Sequence, residues 1–349
     1  MEKILTIIVP SYNMGKVLKH NLNSLIINEN LMEKIEVLVI NDGSKDNTLE
    51  VARKFEDTYP DVFIVVDKEN GNYGSCINKG LDLANGIFVK ILDADDCFEP
   101  MAFEKFVKEL IYSENKNENI DAFFTDYRTI DQDGIVGNCI TTKLPANKVI
   151  ELDKDSAILC FNGIAHHKLT YRISNIKKIG YRQAEGISYT DTEWFILPFF
   201  SVKTVKYLPI PVYKYLIGRE GQSMDPKVLE KSIMSFTKLG KELITKFGLY
   251  KRIYSTSSID AMNDRLFEFI SSIYKYYIMN TMSYEVMDQL FEFDEWLKEN
   301  CDEYYKLLAN QIYSKKYPVR YVRLFRAGYC KRSFRMTVSL YQFFKRIKN

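Results

Sequence analysis

Histidine is scarce in this 349-residue chain, with three copies, and tryptophan has two. The six cysteines stand at 76, 97, 139, 160, 301 and 330 and include no C-x-x-C pair. That spacing argues against a zinc site or a disulfide framework and reads as six reduced thiols. No run approaches the roughly 18 apolar residues of a membrane span. The longest clearly apolar stretch, Trp194–Phe200, contains Pro198. Met1–Pro10 has too short an apolar run for a signal peptide and no small-residue cleavage site, so a cytoplasmic protein is expected. The nucleophile elbow G-x-S-x-G is absent, which leaves a Ser-His-Asp hydrolase unsupported. Neither G-x-G-x-x-G nor G-x-x-x-x-G-K-[ST] occurs, and Gly71-Asn72-Tyr73-Gly74 resembles a phosphate cradle only loosely. There is no internal repeat and no low-complexity stretch.

What remains is the composition of an ordinary soluble protein, with 46% apolar and 27% charged residues. The length suits two domains, or one large domain with an extension, and a core that needs no disulfide or structural metal. Through the first third, short apolar runs alternate with helical patterns. Strands are expected at Leu5–Pro10, Ile35–Ile40, Val62–Val66 and Ile87–Leu92, with helices over Lys16–Ile27, around Leu49–Phe55 (capped by Ser44 or Asp46) and over Gly74–Asn85. Nearly all-apolar strands between helices predict a mostly parallel sheet covered on both faces. Further strands are expected at Ala122–Tyr127, Leu169–Ile173, Val202–Leu208 and Val212–Ile217, the last two separated by Pro209 and Pro211, and a short helix over Asp191–Phe199. From about Pro226 the pattern is helical throughout, which places a domain boundary near 220–228.

Ligands of such sheets bind at the carboxyl ends of the strands. Three polar clusters fall there: Ser11-Tyr12-Asn13, Asn41-Asp42-Gly43-Ser44 and Asp93-Ala94-Asp95-Asp96. Three acids within four residues repel one another unless a cation offsets them, and hard oxygen ligands of this kind suit Mg²⁺ or Mn²⁺. The plain alternative is a solvated turn in which Asp96 caps the helix from Pro100. For Asp42 the plain alternative is turn chemistry. His166 and His167 precede a strand; as strand neighbours they would point to opposite faces and could not chelate one metal as a pair.

In order and spacing, Ile8-Val9-Pro10-Ser11-Tyr12-Asn13, Val39-Ile40-Asn41-Asp42-Gly43-Ser44-Lys45-Asp46, Asn72-Tyr73-Gly74-Ser75 with Asn78-Lys79-Gly80, and Leu92-Asp93-Ala94-Asp95-Asp96 resemble a family 2 glycosyltransferase with the GT-A fold. The resemblance covers about residues 1–225 and leaves 226–349 as a helical C-terminal region. It implies that Pro10, Tyr12 and Asp42 hold the nucleobase and that Asn13, Asn72 and Gly74 line the nucleotide pocket. It makes Asp93 and Asp95 the D-x-D pair, with Asp95 on a Mn²⁺ or Mg²⁺ ion through the diphosphate and Asp93 near ribose and metal. Asp191, in Tyr189-Thr190-Asp191-Thr192-Glu193, matches the family's catalytic base, although Thr replaces the usual preceding Glu, Glu193 is a competitor, and a helix-capping role is the plain alternative. Arg219 matches a loop that closes over the diphosphate. Gln-x-x-Arg-Trp of processive members is absent, which implies transfer of a single sugar. The implied activity is that of an inverting hexosyl or N-acetylhexosaminyl transferase. It would use a nucleotide sugar, a UDP-sugar foremost, and a saccharide or lipid-linked saccharide acceptor in polysaccharide biosynthesis. The rival readings are a nucleotidyltransferase and a non-catalytic nucleotide-sugar-binding protein.

Charge is uneven. Residues 315–349 hold eleven Lys and Arg and no acid, which leaves 37 basic side chains against all 46 acidic ones in the rest. Over Lys331–Lys348, Lys331, Arg332, Arg335 and Arg346 share one helical face while Met336, Leu340, Phe343, Phe344 and Ile347 share the other. Such a helix suits an anionic membrane surface, here the inner face of the cell membrane. It also suits docking on the protein's own helices. RNA is the third reading, without a recognised RNA-binding motif to support it.

Overall fold

The computed structural model describes residues 2–218, 226–280, 284–312 and 320–328, the side chains of 226–232, 279, 280, 284 and 285 excepted. The chain divides into two compact units, Met1–Gln222 with Leu249–Met262, and Ser223–Gly248 with Asn263–Asn349.

The first unit is built on a mixed sheet. Its strands are β1 (Leu5–Ser11), β2 (Ile35–Asp42), β3 (Phe63–Lys68), β4 (Phe88–Ile91), β5 (Cys97–Phe98), β6 (Ala122–Ile130), β7 (Val136–Ile140), β8 (Val149–Glu151), β9 (Leu169–Arg172) and β10 (Thr204–Leu216). They lie in the order β3-β2-β1-β4-β9-β6-β10-β5, with β7 on β6 and β8 on β10. The longest pairings, β1–β2, β2–β3, β1–β4 and β6–β10, are parallel, whereas β9 is inserted antiparallel between β4 and β6. This is the mostly parallel α/β sheet that the apolar runs predict. Every residue of β2 is buried, which is why it reads as a continuous run without alternation. Helices Thr48–Thr58, Asn72–Leu83 and Pro100–Asn115 pack on the sheet, through residues such as Phe55, Ile77, Phe103 and Phe106.

One acid is buried at the far end of the sheet from the polar clusters. Glu36, 2% exposed, accepts from Thr6 Oγ1 at 2.5 Å and from the backbone N–H groups of Asn85 and Gly86 at 2.5 and 3.2 Å. A carboxylate with that many donors ties the entry of β4 to β1 and β2 and leaves the opposite edge for chemistry.

Several elements differ from expectation. Val202–Leu208 and Val212–Ile217 are one strand, β10. The two prolines bend it by register shifts between Leu208 and Pro211 and between Pro211 and Tyr213, so their missing N–H groups fall at irregularities of the ladder. The helix expected over Lys16–Ile27 is regular only over Leu18–Asn23. Asn47, not Ser44 or Asp46, is the cap residue of Thr48–Thr58, although Asp46 accepts from Thr48 N at 3.0 Å.

The second unit is helical, with Ile259–Asn280, Tyr284–Asn300, Asp302–Leu308 and Tyr321–Gly328 among its elements. The last of these lies in the basic segment 315–349 and docks on the chain's own helices. Tyr321, Val322 and Phe325 are buried. Arg326 makes hydrogen bonds of 2.7–3.0 Å with Asp294, donates to Tyr305 O at 2.8 Å and lies over the Tyr305 ring at 3.6 Å. Tyr274 donates to the same Asp294 at 2.6 Å. The amphipathic face pattern of Lys331–Lys348 lies outside the described residues. Truncation after Lys316 should therefore destabilise the helical unit, because it exposes the seat of three buried side chains and leaves Asp294 without its guanidinium. An unchanged thermal transition after that truncation would contradict this packing.

Candidate active site

The parallel strands β1, β2 and β4 deliver the three polar clusters to one edge of the sheet. Neighbouring loops are then bonded to each other. Asn13, in the left-handed region at φ 53°, donates its backbone N–H to Ser44 Oγ at 3.0 Å and accepts from Lys45 N at 2.8 Å through Oδ1. Asn tolerates that conformation better than other side chains. Gly15 N donates to Asp46 Oδ2 at 3.0 Å, and Met14 N to Thr48 Oγ1 at 2.7 Å. Pro10 is partly buried at the end of β1, and Tyr12 next to it is 47% exposed, with its ring available to a planar ligand.

Asp42 ends β2 and is 3% exposed. It pairs with Lys68 and accepts from Gly71 N at 2.9 Å through Oδ1, and from Asn70 Nδ2 at 3.0 Å through Oδ2. The Cys76 thiol hydrogen-bonds to Asp42 as well. Asp42 thus also fixes the turn from β3 into helix Asn72–Leu83. Asn72 opens that helix at φ 65°. Gly74 is buried against the loop at Ala184: a Cβ there would lie 1.8 Å from the Ala184 carbonyl oxygen.

The acidic turn after β4 is held from three sides. Asn21 Nδ2 donates to the carbonyls of Asp93 and Asp96, both at 2.8 Å. Tyr213 of β10 donates its hydroxyl to Asp96 Oδ2 at 2.6 Å, and Leu216 N donates to Asp96 Oδ1 at 2.7 Å. Asp96 is thus an anchor between the turn and β10 and not the cap of the following helix, which is Glu99. Burial, with Asp93 and Asp95 close by, pushes its carboxyl well above the ordinary range.

Asp93 is the meeting point. Tyr73 donates to its Oδ1 at 2.9 Å, and His166 Nε2 lies 3.0 Å from its Oδ2. Burial would raise the Asp93 carboxyl, but the charge and hydrogen bond of His166 and the bond from Tyr73 hold it below the usual value. Burial would lower His166, but the charge and hydrogen bond of Asp93, helped by the charge of Asp191, hold it above its usual value. Asp191 starts helix Asp191–Ile196, with Thr190 as the cap residue before it. It is close enough to His166, Asp93 and Tyr73 for their charges to interact. Burial raises its carboxyl above the ordinary value, against the pull of His166 and with the push of Asp93. Glu193 is fully buried, and its Oε2 accepts from Ala184 N at 2.5 Å. It braces the loop before Asp191.

The histidine pair corrects the expectation from strand alternation. His166–Lys168 is a 3₁₀ turn before β9, and the two rings lie 3.9 Å apart at their centroids. Both can therefore turn toward Asp93. Among the described residues, Asp93, His166 and His167 each offer one ligating atom, all within 4.8 Å of one another, so small side-chain shifts would bring them onto one divalent ion. Asp95, two residues on and partly buried, stands outside that group. The donor set fits a divalent metal but adds imidazole nitrogen to carboxylate oxygen. Arg219 lies outside the described residues. Sequence reasoning missed Asn21 and Tyr213 as members of this edge, and it had Tyr73 only as part of the Asn72–Gly74 turn and the histidines only as strand neighbours facing opposite ways; a pair of adjacent histidines in a chain with three was the available signal.

Beneath the histidine turn lies Lys90 of β4, fully buried. Its ammonium donates to the carbonyls of His167 at 2.8 Å and Leu169 at 3.2 Å. Burial lowers it from 10.5 to about 7. Between those values the unfolded chain binds more protons than the folded one, so stability should rise with pH from about 7 toward 10.5. Lys90→Met should flatten that slope in denaturant titrations, and an unchanged slope would contradict the assignment.

The chain resembles known proteins in sequence and in fold. The family described as Glycosyl transferase family 2 matches residues 6–125. An uncharacterized glycosyltransferase of Mycoplasma pneumoniae is 36% identical over 104 residues, 29% of this chain and 34% of that protein. The minor teichoic acid biosynthesis protein GgaB of Bacillus subtilis is 27% identical over 177 residues, 50% of this chain and 18% of that protein. The matched region thus spans about a third of the Mycoplasma relative and less of GgaB. Among solved structures, residues 1–349 of S. aureus TarS in complex with UDP-GlcNAc superimpose with a TM-score of 0.61 at 17% identity, covering 86% of this chain and 82% of that one. That likeness shows the fold, a GT-A-type α/β architecture.

Proposed function

Residues 6–125 make this chain a member of glycosyl transferase family 2, and from that premise we propose that it moves a single sugar, with inversion, from a nucleotide sugar to a saccharide hydroxyl. The observation that carries the reading is the convergence of Asp93, His166 and Asp191 at the carboxyl edge of the sheet, with the Asp191 carboxyl raised. A base with a raised pKa is better matched to a hydroxyl proton than an ordinary carboxylate. In the proposed step the acceptor hydroxyl oxygen bonds to the anomeric carbon, the bond from that carbon to the diphosphate breaks, and the hydroxyl proton passes to Asp191. Asp42 takes an N–H of the base, with Pro10 and the exposed Tyr12 ring beside it. Asn13, Asn72 and Gly74 line the nucleotide pocket, and Arg219 pairs with phosphate. Asp93 and Asp95 hold Mn²⁺ or Mg²⁺. When bound, the metal offsets the charge of the departing diphosphate.

UDP-sugars are the favoured donors, and the acceptor is a saccharide or lipid-linked saccharide of a cell-surface polymer. The relative named for minor teichoic acid biosynthesis and the fold shared with a UDP-GlcNAc complex support this direction. The catalytic domain is 1–225 and the helical region 226–349. No described helix is long and apolar enough to cross a membrane, and 329–349 is the segment proposed to touch an anionic surface at the inner face of the cell membrane.

The test is release of UDP from a panel of UDP-sugars with Mn²⁺. Turnover with one donor, abolished by Asp95→Ala, supports the reading. Tight donor binding with no turnover across acceptors would favour a nucleotide-sugar-binding protein instead. For the tail, the full chain should sediment with anionic liposomes at low salt and the chain truncated after Gly328 should not; equal sedimentation would contradict the surface role.

A further inference from the structure

His167 is the buried group that the nucleotide reading leaves unexplained. It is 7% exposed, and neither ring nitrogen has a hydrogen-bond partner among the described residues. A buried polar group without a partner is costly, so an unpartnered imidazole at this place points to a ligand for one of its nitrogens. The ring does not sit loosely. It is flanked by Tyr213, Tyr215 and Tyr127 at centroid separations of 4.5, 4.6 and 5.0 Å. Its backbone carbonyl is held by buried Lys90.

The neighbours supply the rest of a coordination site. His166 Nε2 and Asp93 Oδ2 are 3.0 Å apart. Two ligand atoms at right angles about one ion, each about 2.1 Å from it, are separated by about that distance. Tyr73 donates to the other oxygen of Asp93, the kind of outer contact that orients a ligating carboxylate. The 3₁₀ turn is what makes the pair usable, since it brings adjacent rings to one side where a strand would separate them.

We propose that two imidazole nitrogens, of His166 and His167, join the Asp93 and Asp95 carboxylates in holding one divalent transition-metal ion. The inference deepens the metal assignment of the reading above, on which it rests, by moving the ligand set from carboxylates alone to a mixed nitrogen and oxygen set. Imidazole favours first-row transition ions, whereas Mg²⁺ is served best by oxygen. The chain should therefore select Mn²⁺ or Co²⁺ over Mg²⁺.

Pulsed EPR of Mn²⁺ bound to the full chain, with and without UDP, reads this directly. The expected spectrum carries ¹⁴N modulation from coordinated imidazole. His166→Gln and His167→Gln should each weaken it, and the double variant should abolish it while Mn²⁺ affinity falls at least about tenfold. Bound Mn²⁺ without ¹⁴N coupling in the wild-type chain would overturn the proposal and leave a carboxylate metal site standing. No Mn²⁺ binding, even with UDP, would overturn both. Nitrogen-coordinated Mn²⁺ in a chain that turns over no UDP-sugar would uphold the site and defeat the transferase reading.

Discussion

Asp191→Asn should slow sugar transfer by roughly 10²–10⁴-fold, the usual worth of a general base, and leave UDP affinity unchanged by calorimetry. The substitution is nearly isosteric but cannot take the acceptor proton. The pH dependence gives a second reading of the same group. Burial raises the Asp191 carboxyl above 3.8, so the rate should fall with acid through a midpoint higher than that of an ordinary aspartate, and the variant should lose that limb. Glu193 is the control. Its Oε2 is engaged by Ala184 N inside the protein, and Glu193→Gln keeps an oxygen able to accept that bond. It should change melting more than rate. If Glu193→Gln stops turnover while Asp191→Asn does not, the base is misassigned.

Gly74→Ala should be the most damaging one-methyl change in the first unit. The added carbon would lie 1.8 Å from the Ala184 carbonyl oxygen and 2.8 Å from its carbon, and backbone cannot swing aside as a side chain can. The loop that would have to move is clamped. Asn78 donates to Gln183 O at 2.9 Å and accepts from Gln183 N at 2.8 Å, and Gln183 donates to Thr190 O and Oγ1 at 3.0 and 2.9 Å. Thr190 precedes Asp191, so displacement of Ala184 is passed along these bonds to the base. The expected cost is about 1–3 kcal/mol, the usual range for overpacking, together with at least a tenfold loss of rate. Gly248→Ala is the contrast. It lies in helix Pro226–Ile253 with nothing within 4 Å of an added Cβ, and should stabilise by about 0.5–1 kcal/mol. Chemical denaturation of the two variants against the parent checks both signs, and a neutral Gly74→Ala would contradict the close approach.

The strands that carry the acidic and nucleotide-facing clusters were legible because they are buried on both faces. β1, β2 and β4 read as nearly all-apolar runs, broken only by Thr6, Glu36 and Lys90 before their ends, and each leads into its polar cluster. The left-handed turns at Asn13 and Asn72 were legible only as polar loops, since sequence reports that a turn exists and not its dihedral. What failed was any inference that depended on local geometry. His166 and His167 were read by strand alternation, and a single 3₁₀ turn reverses that conclusion. Pro209 and Pro211 read as a break, but a strand can absorb two prolines by slipping register around them. Asn21 and Tyr213 reach the acidic turn from helix Leu18–Asn23 and β10, 72 and 120 residues away in sequence from Asp93, and no local pattern announces contacts at that separation. Tyr73 was inside the quoted Asn72–Gly74 motif, but only the packed structure shows its hydroxyl turned to Asp93.

The central claim is that Asp191 and the Asp93 cluster perform a single inverting displacement on a nucleotide sugar. Water can stand in for the acceptor, so the measurement needs no acceptor to be known. Each α-linked UDP-sugar is incubated with the chain and Mn²⁺, and the anomeric ¹H NMR signals of the released sugar are followed from the first minutes, before mutarotation mixes them. For one donor the β anomer should appear first, alongside UDP, and Asp191→Asn should remove its release. An α anomer appearing first, or β release undiminished in Asp191→Asn, would contradict it.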